Sequence, residues 1–223
     1  MKMLLTVVVV LLVAVGVYYV VAPYLQPAAP QPTPSQESVK VTTTHVQEDT
    51  EIYTIDISYP QFGIPAVDLQ IKKTIDDAVA EFKTLPPNPS DSATPKHSFD
   101  GAFDSAYVGP DVISVKLILS QYTGGAHPLT LVSGLNYNRV TGEQLLQSDA
   151  FVMIGKTVSE VSAIATTELK ATLGEGMFLE GADTNPENFS SFVISDDKVT
   201  FIFQQYQVAA YAAGVQEVSF DRK

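Results

Sequence analysis

The sequence contains no cysteine and no tryptophan, and arginine occurs only at Arg139 and Arg222. Without cysteine there is no disulfide framework, no thiolate metal ligand, no cysteine nucleophile and no acylated cysteine. The 13 Lys and Arg residues are outnumbered by 25 Asp and Glu residues, so the 223-residue chain has a net charge of −12. This balance argues against binding of a nucleic-acid backbone, which requires clustered positive charge.

The hydrophobic residues are concentrated near the N-terminus, where the 19 residues at 4–22 carry no charge. In a helix these residues would span about 28 Å, close to the hydrocarbon thickness of a bilayer. With Lys2 in front of it, the run predicts an uncleaved, single-pass signal-anchor with a cytoplasmic stub at 1–3, and the alternative is a cleaved signal peptide. The Pro-rich stretch at 23–37 predicts an extended linker that leads to a domain outside the membrane.

The remaining chain, residues 38–221, alternates between strand and helix patterns. Strands are predicted at 39–46, 52–59, 98–108, 112–122, 128–137, 192–195, 199–203 and 215–220. A helix is predicted from Pro65 onwards, and a second one at 154–173, because apolar residues recur there at intervals of three and four. The order predicts an α+β fold, with a mainly antiparallel sheet, two packed helices and a sub-boundary near residue 140.

Three segments carry a resemblance to a known family. Residues 122–128 hold a Gly-Gly-x-His turn, residues 136–151 a strand, a Thr-Gly turn and a helix start, and residues 199–214 a strand with a tyrosine-bearing ending. In this order and spacing they resemble the extracytoplasmic domain that the anti-sigma factor RsiV shares with the N-terminal part of the peptidoglycan deacetylase PdaC. The resemblance extends over residues 40–221.

The resemblance implies a membrane-tethered, extracytoplasmic α+β module of a bacterial cell. In the anti-sigma factor this module binds lysozyme, and in the deacetylase it accompanies a separate catalytic domain. We expect neither a sigma-binding segment before the apolar run nor a deacetylase domain after residue 223. The expected function is therefore binding or sensing of lysozyme, another basic protein or peptidoglycan, without catalysis. The negative charge of the chain would steer a basic partner toward it.

Four residues are predicted to bind the ligand or partner: Tyr122, His127, Tyr206 and Tyr211. His127 lies in the Gly-Gly turn, where it either recognises a ligand or forms a local hydrogen bond. Tyrosines in loops make good interface anchors, because they bury a large area at a small cost in entropy. Alternatively, Tyr206 and Tyr211 fill the edge of the core and leave only their hydroxyl groups in water.

Two other functions stay open on the sequence. An enzyme acting on cell-wall glycans would use loop carboxylates, although residues 76–77 and 196–197 also fit an outward helix face and a hairpin turn. A structural partner of another envelope protein would need no ligand. No catalytic residue, cofactor or metal is expected, because serine-nucleophile motifs are absent and His45 and His97 lack the spacing of zinc ligands.

Overall fold

The structure, a computed structural model, describes residues 39–89 and 93–223. The apolar run at 4–22 and the Pro-rich stretch lie outside these residues, so the membrane anchor and the linker stay predictions. Within the described ranges, no helix is both long enough and apolar enough to cross a membrane.

Five strands form the larger sheet, in the order in which they follow along the chain. They are β1 (Thr42–Asp49), β2 (Tyr53–Gln61), β3 (His97–Val108), β4 (Val112–Tyr122) and β5 (Leu129–Asn138). Neighbouring strands are antiparallel except β2 and β3, which are parallel. Helix α1 (Pro65–Phe82) connects this pair, and a crossover of this kind returns the chain in the same direction. The prediction of a mainly antiparallel sheet is confirmed.

Helix α1 covers one face of this sheet. It begins at Pro65, which has no backbone N–H to lose in the first helical turn. Its buried residues recur at the predicted three- and four-residue intervals: Val67, Ile71, Ile75, Val79 and Phe82. These side chains pack against aliphatic residues of β2 and β4 and form the first of two hydrophobic cores.

A second, antiparallel sheet of three strands packs against β4 and β5 on the opposite face. It consists of β6 (Phe192–Ile194), β7 (Lys198–Phe203) and β8 (Gln216–Asp221). Helices α2 (Gln147–Ile154) and α3 (Val158–Leu173) pack on this sheet and form the second core. The open half of the larger sheet, on β1 to β3, keeps a polar face.

The number of helices differs from the sequence prediction, which gave two packed helices with the second at 154–173. The structure has three, because α2 ends at Gly155, whose φ of 61° is left-handed. Thr157 then starts α3 by accepting a hydrogen bond from the Glu160 N–H. The apolar row that predicted the helix at 154–173 begins at Val158, so it marks α3 and does not include α2.

The two sheets are joined by a buried polar seam. Ser114 Oγ donates to Asn136 Oδ1 over 2.7 Å and accepts from the Ile194 N–H over 2.8 Å. Asn136 Nδ2 donates to the Phe192 carbonyl over 2.7 Å. Ser114 and Asn136 are only 2% and 1% exposed. Burial of their polar groups costs little free energy because these hydrogen bonds replace those lost to water.

Gly134 allows β6 to cross β5 at close range. A Cβ atom on Gly134 would lie 1.5 Å from the Phe192 carbonyl oxygen, so no side chain fits. Beside it, side chains pair with the outward backbone groups of β5. Gln204 pairs with the N–H and C=O of Val132, and Ser191 accepts from the Gly134 N–H. These contacts protect a sheet edge that otherwise invites another strand.

A charged triad also joins the sheets. Lys116 on β4 lies 3.3 Å from Asp104 of β3 and 2.7 Å from Glu217 of β8. The hydrogen bond to Glu217 raises the pKa of Lys116 above its ordinary value. Since the Lys116 side chain is only 19% exposed, salt screens this triad less than it screens a pair at the open surface.

We expect Gly134→Ala to lower the free energy of unfolding by about 2–4 kcal/mol, because the new methyl group displaces the β6 backbone and breaks the seam. Chemical denaturation followed by circular dichroism measures the change. Gly176→Ala is the matched control, because no atom lies within 4 Å of a Cβ at that position. Equal losses in the two variants would contradict the close crossing.

Candidate functional site

Three of the four predicted binding residues lie together on the surface. The rings of His127 and Tyr211 stack, with centroids 3.9 Å apart and planes 23° apart. The ring of Tyr206 lies 5.5 Å from that of Tyr211. We refer to these three residues as the aromatic surface. Tyr122 is separate from it, since this half-buried residue ends β4 opposite Ser98 of β3. Whether any of the four binds a ligand stays a prediction.

His127 is exposed in the connection between β4 and β5. Its Nδ1 lies 2.9 Å from the Pro128 carbonyl oxygen. A carbonyl oxygen only accepts, so Nδ1 carries the proton of this bond, and in the neutral ring Nε2 remains an acceptor. The residue therefore combines the predicted local hydrogen bond with an outward-facing ring.

Tyr206 and Tyr211 lie in the connection between β7 and β8, which Gln207 anchors from beneath. Gln207 Nε2 donates to the carbonyl groups of Gly181 and Asn188, each over 2.9 Å. The backbone approach is close, because a Cβ on Gly181 would lie 1.9 Å from the Gln207 carbonyl oxygen. With the base of the connection fixed in this way, Tyr206 keeps 57% of its surface exposed.

The backbone at Tyr206 is strained. With a φ of 67°, it is the one non-glycine residue with positive φ in the described part of the chain. Side chains with a Cβ crowd the backbone in this region, at a cost of roughly 1–2 kcal/mol. Deep packing does not explain the conformation, because the residue is exposed. Strain of this kind concentrates where ligands are held.

Gln205, the residue before Tyr206, has a second energetically unfavourable feature. Across residues 39–89 and 93–223, its Oε1 is the one buried side-chain oxygen or nitrogen without a hydrogen-bond partner. Such a group costs about 1–3 kcal/mol. Sequence reasoning missed Gln205, because the burial of its amide depends on the tertiary fold and no local pattern marks it.

The open polar face of the larger sheet holds the second set of reactive groups. Asp56 on β2 lies opposite Asp100 on β3, and both line shallow depressions of about 350 and 460 Å³. Beside them, His45 Nδ1 lies 3.0 Å from Ser58 Oγ. In the portion of the chain that is described, no group of three or more His, Asp or Glu side chains is placed to hold a metal ion.

Two family models match the chain. Residues 46–130 match the model described as deacetylase PdaC, and residues 149–223 match a family of unknown function, DUF3298. The chain therefore carries a PdaC-type region followed by a DUF3298-type region, which confirms the PdaC part of the resemblance. His127 belongs to the first region, and Tyr206 and Tyr211 belong to the second. The aromatic surface thus forms where the two regions meet.

The peptidoglycan-N-acetylmuramic acid deacetylase PdaC of Bacillus subtilis is 25% identical over 179 residues, which cover 78% of this chain and 38% of that protein. An esterase of Mycobacterium tuberculosis is 29% identical over 110 residues, covering 49% of this chain and 48% of that protein. The chain spans less than half the length of both. The crystal structure of a DUF3298-family protein from Pseudomonas aeruginosa PAO1 shares the fold, with a TM-score of 0.51, 16% identity, and coverage of 83% of this chain and 94% of that one.

The expectation of a module without catalysis is wrong, because these two relatives are named as a deacetylase and an esterase. What they support is a cell-envelope region of deacetylase-like or esterase-like type. A search for serine-nucleophile motifs and zinc-ligand spacing detects only reactive groups that are close in sequence. A pair such as His45 and Ser58, brought together by strand register, has no local motif.

Because φ is positive at residue 206, we expect glycine to be more stable there than alanine. Tyr206→Gly should exceed Tyr206→Ala by about 1 kcal/mol in the free energy of unfolding. Both variants remove the ring, so their difference reports the backbone alone. The matched comparison is Ala163→Gly on the exposed side of α3, where glycine should cost about 1 kcal/mol. A preference for alanine at residue 206, measured by denaturant titration, would refute the left-handed conformation.

Proposed function

We propose that this protein binds acyl-bearing glycans of the bacterial cell envelope at the aromatic surface and takes part in removing their acyl groups. The observation that carries the proposal is the stack of His127 on Tyr211 beside the exposed ring of Tyr206. The names of the two enzyme relatives support the chemistry, because a deacetylase and an esterase both hydrolyse an acyl bond. In this proposal residues 4–22 hold the protein in the membrane, with the folded part outside.

The aromatic surface suits a sugar because of its mixed polarity. A sugar ring has an apolar C–H face and a rim of hydroxyl or acetamido groups, and flat aromatic rings pack against such a face. Polar groups stand at the edge of the same surface, namely Nε2 of His127 and the tyrosine hydroxyl groups. Convergent polar groups beside apolar area are the usual composition of a small-molecule site.

For the acyl chemistry, the described residues offer the pair of Ser58 and His45. A serine hydroxyl that donates to an imidazole is the starting arrangement for nucleophilic attack on an acyl carbon. The 3.0 Å contact joins cross-strand neighbours in register on β1 and β2, so the strand pairing holds it. Asp56, two residues before Ser58, lies on the same face and accepts a hydrogen bond from Gln47 Nε2 over 3.2 Å.

Removal of a stacked ring should weaken glycan binding. We expect Tyr211→Ala to raise the Kd of the full chain for N-acetylated peptidoglycan fragments at least about fivefold, since a stacked aromatic contact contributes about 1 kcal/mol. Calorimetric titration measures the change. Tyr107→Ala is the control, because Tyr107 lies at the end of the sheet where β3 turns into β4, away from the aromatic surface. Its hydroxyl group contacts Asp196 there.

Release of acetate from the same fragments reports the chemistry, and Ser58→Ala should abolish it. Unchanged glycan affinity in Tyr211→Ala would contradict the binding site. Acetate release that survives Ser58→Ala would place the reaction at other residues.

A second candidate function is recognition of a basic protein such as lysozyme on the open face. Asp56 and Asp100 support it, because within the described ranges neither carboxylate forms an ion pair with a lysine or arginine. Two like charges opposite each other destabilise a sheet, and a cationic partner would offset that repulsion.

Lysozyme binding of this kind should depend strongly on salt. The Debye length, over which charges attract each other before salt screens them, is roughly 30 Å at 0.01 M salt and about 8 Å at 0.15 M. We therefore expect tighter binding at the lower ionic strength. Titration of the full chain with lysozyme at both concentrations measures the effect. The double variant Asp56→Asn, Asp100→Asn should reduce the low-salt affinity, and Asp183→Asn should not. Absence of binding at low salt would rule this candidate out.

A further inference from the structure

Residues 204–207, with the sequence Gln-Gln-Tyr-Gln, form a tight turn that leads from β7 to the aromatic surface. The Gln207 N–H donates to the Gln204 carbonyl over 3.0 Å, and φ is positive at Tyr206. This combination matches a type II turn, whose third position favours glycine or asparagine. Tyr206 occupies that third position.

The two outer residues of the turn form hydrogen bonds through both the oxygen and the nitrogen of their side-chain amides. Gln204 accepts from the Val132 N–H over 3.0 Å and donates to the Val132 carbonyl over 2.7 Å. Gln207 accepts from the Gln204 N–H over 2.9 Å and donates to two further carbonyl groups. Both ends of the turn are therefore fixed to the surrounding framework.

The two inner residues of the turn, Gln205 and Tyr206, are both in unfavourable arrangements. The amide oxygen of Gln205 is buried and accepts nothing, and Tyr206 adopts a conformation that tyrosine avoids. Because the ends are fixed, these costs stay confined to the Gln205–Tyr206 peptide. The pair adjoins the aromatic surface directly, since Tyr206 is one of its three rings.

A second conformation is available to this turn. Rotation of the central peptide converts a type II turn into a type I turn, in which the third residue has φ near −90°. That region is allowed for tyrosine, and the hydrogen bond between the turn's ends is compatible with both types. The rotation would reverse the directions of the Gln205 carbonyl and the Tyr206 N–H while Gln204 and Gln207 stay in place.

We propose that the 204–207 turn is a two-state element that recognises the ligand. A glycan that stacks on the aromatic surface releases the turn at Gln205 and Tyr206 and donates a hydrogen bond to the Gln205 amide oxygen. The donor is an acetamido N–H or a hydroxyl of an N-acetylated sugar. This inference rests on the proposed function and identifies the Gln205 amide oxygen as the group that recognises the glycan. Binding shifts the turn because only the bound state pairs the amide and relaxes Tyr206.

Gln205→Leu tests the proposal, because it removes the unpaired oxygen and keeps a side chain of similar size. We expect the midpoint of thermal unfolding of the full chain to rise by about 2–4 °C. We also expect the Kd for an N-acetylglucosamine pentasaccharide to rise at least about fivefold with the loss of the new hydrogen bond. Gln70→Leu on the outward face of α1 is the matched control and should change neither quantity.

Opposite shifts of stability and affinity support the proposal, because a purely structural defect lowers both. A lower unfolding midpoint in Gln205→Leu would show that the amide is paired in the free protein, and would overturn the proposal. A raised midpoint with unchanged affinity would also overturn it. If the wild-type chain binds and Tyr211→Ala does not, while Gln205→Leu binds normally, only this inference fails. If the wild-type chain does not bind the pentasaccharide, the proposed function fails as well.

Discussion

The close crossing of β6 over β5 at Gly134 is the constraint on which the rest of the structure depends. It allows the Phe192 carbonyl to approach the larger sheet and accept from Asn136, so the small sheet is fixed to the large one by paired polar groups. β7 follows from β6, and Gln204 at its end binds the edge of β5. The β7–β8 connection is thereby carried to the β4–β5 turn, and Tyr211 reaches His127.

Buried polar groups of this protein are hydrogen-bonded in one place and unpaired in another. In the seam, Ser114 and Asn136 are almost fully buried and hydrogen-bonded, which stabilises one arrangement of the sheets. In the turn at the aromatic surface, the Oε1 atom of the half-buried Gln205 has no partner, and the backbone of Tyr206 is strained. Across the described residues, the seam is hydrogen-bonded, whereas the unpaired buried side-chain oxygen and the positive φ of a non-glycine residue both fall in this turn. That distribution is expected where a protein keeps binding free energy in reserve for a ligand.

The aromatic surface is built from both of the regions that match family models. Neither the PdaC-type region at 46–130 nor the DUF3298-type region at 149–223 contains all three rings of the aromatic surface. The hydroxyl–imidazole pair lies on β1 and β2, three strand spacings or about 14 Å across the sheet from β5. The pair and the aromatic surface are also apart along the strands, because Ser58 follows the Ile57–Gly101 pair and His127 lies beyond Tyr122, which is opposite Ser98. In our proposal, a chain of several sugars would extend from the aromatic surface across the open face toward Ser58.

Most strand and helix segments could be predicted from the sequence, because burial on one face of an element repeats with its own period. This is why α1 and the strands of both sheets were predicted, and why His127, Tyr206 and Tyr211 could be selected as loop aromatics. The division into two sheets, the contact between these rings and the buried, unpaired Oε1 of Gln205 are visible in the tertiary structure alone. Those features depend on strand crossing and register between residues far apart in the chain, and no local period records such contacts.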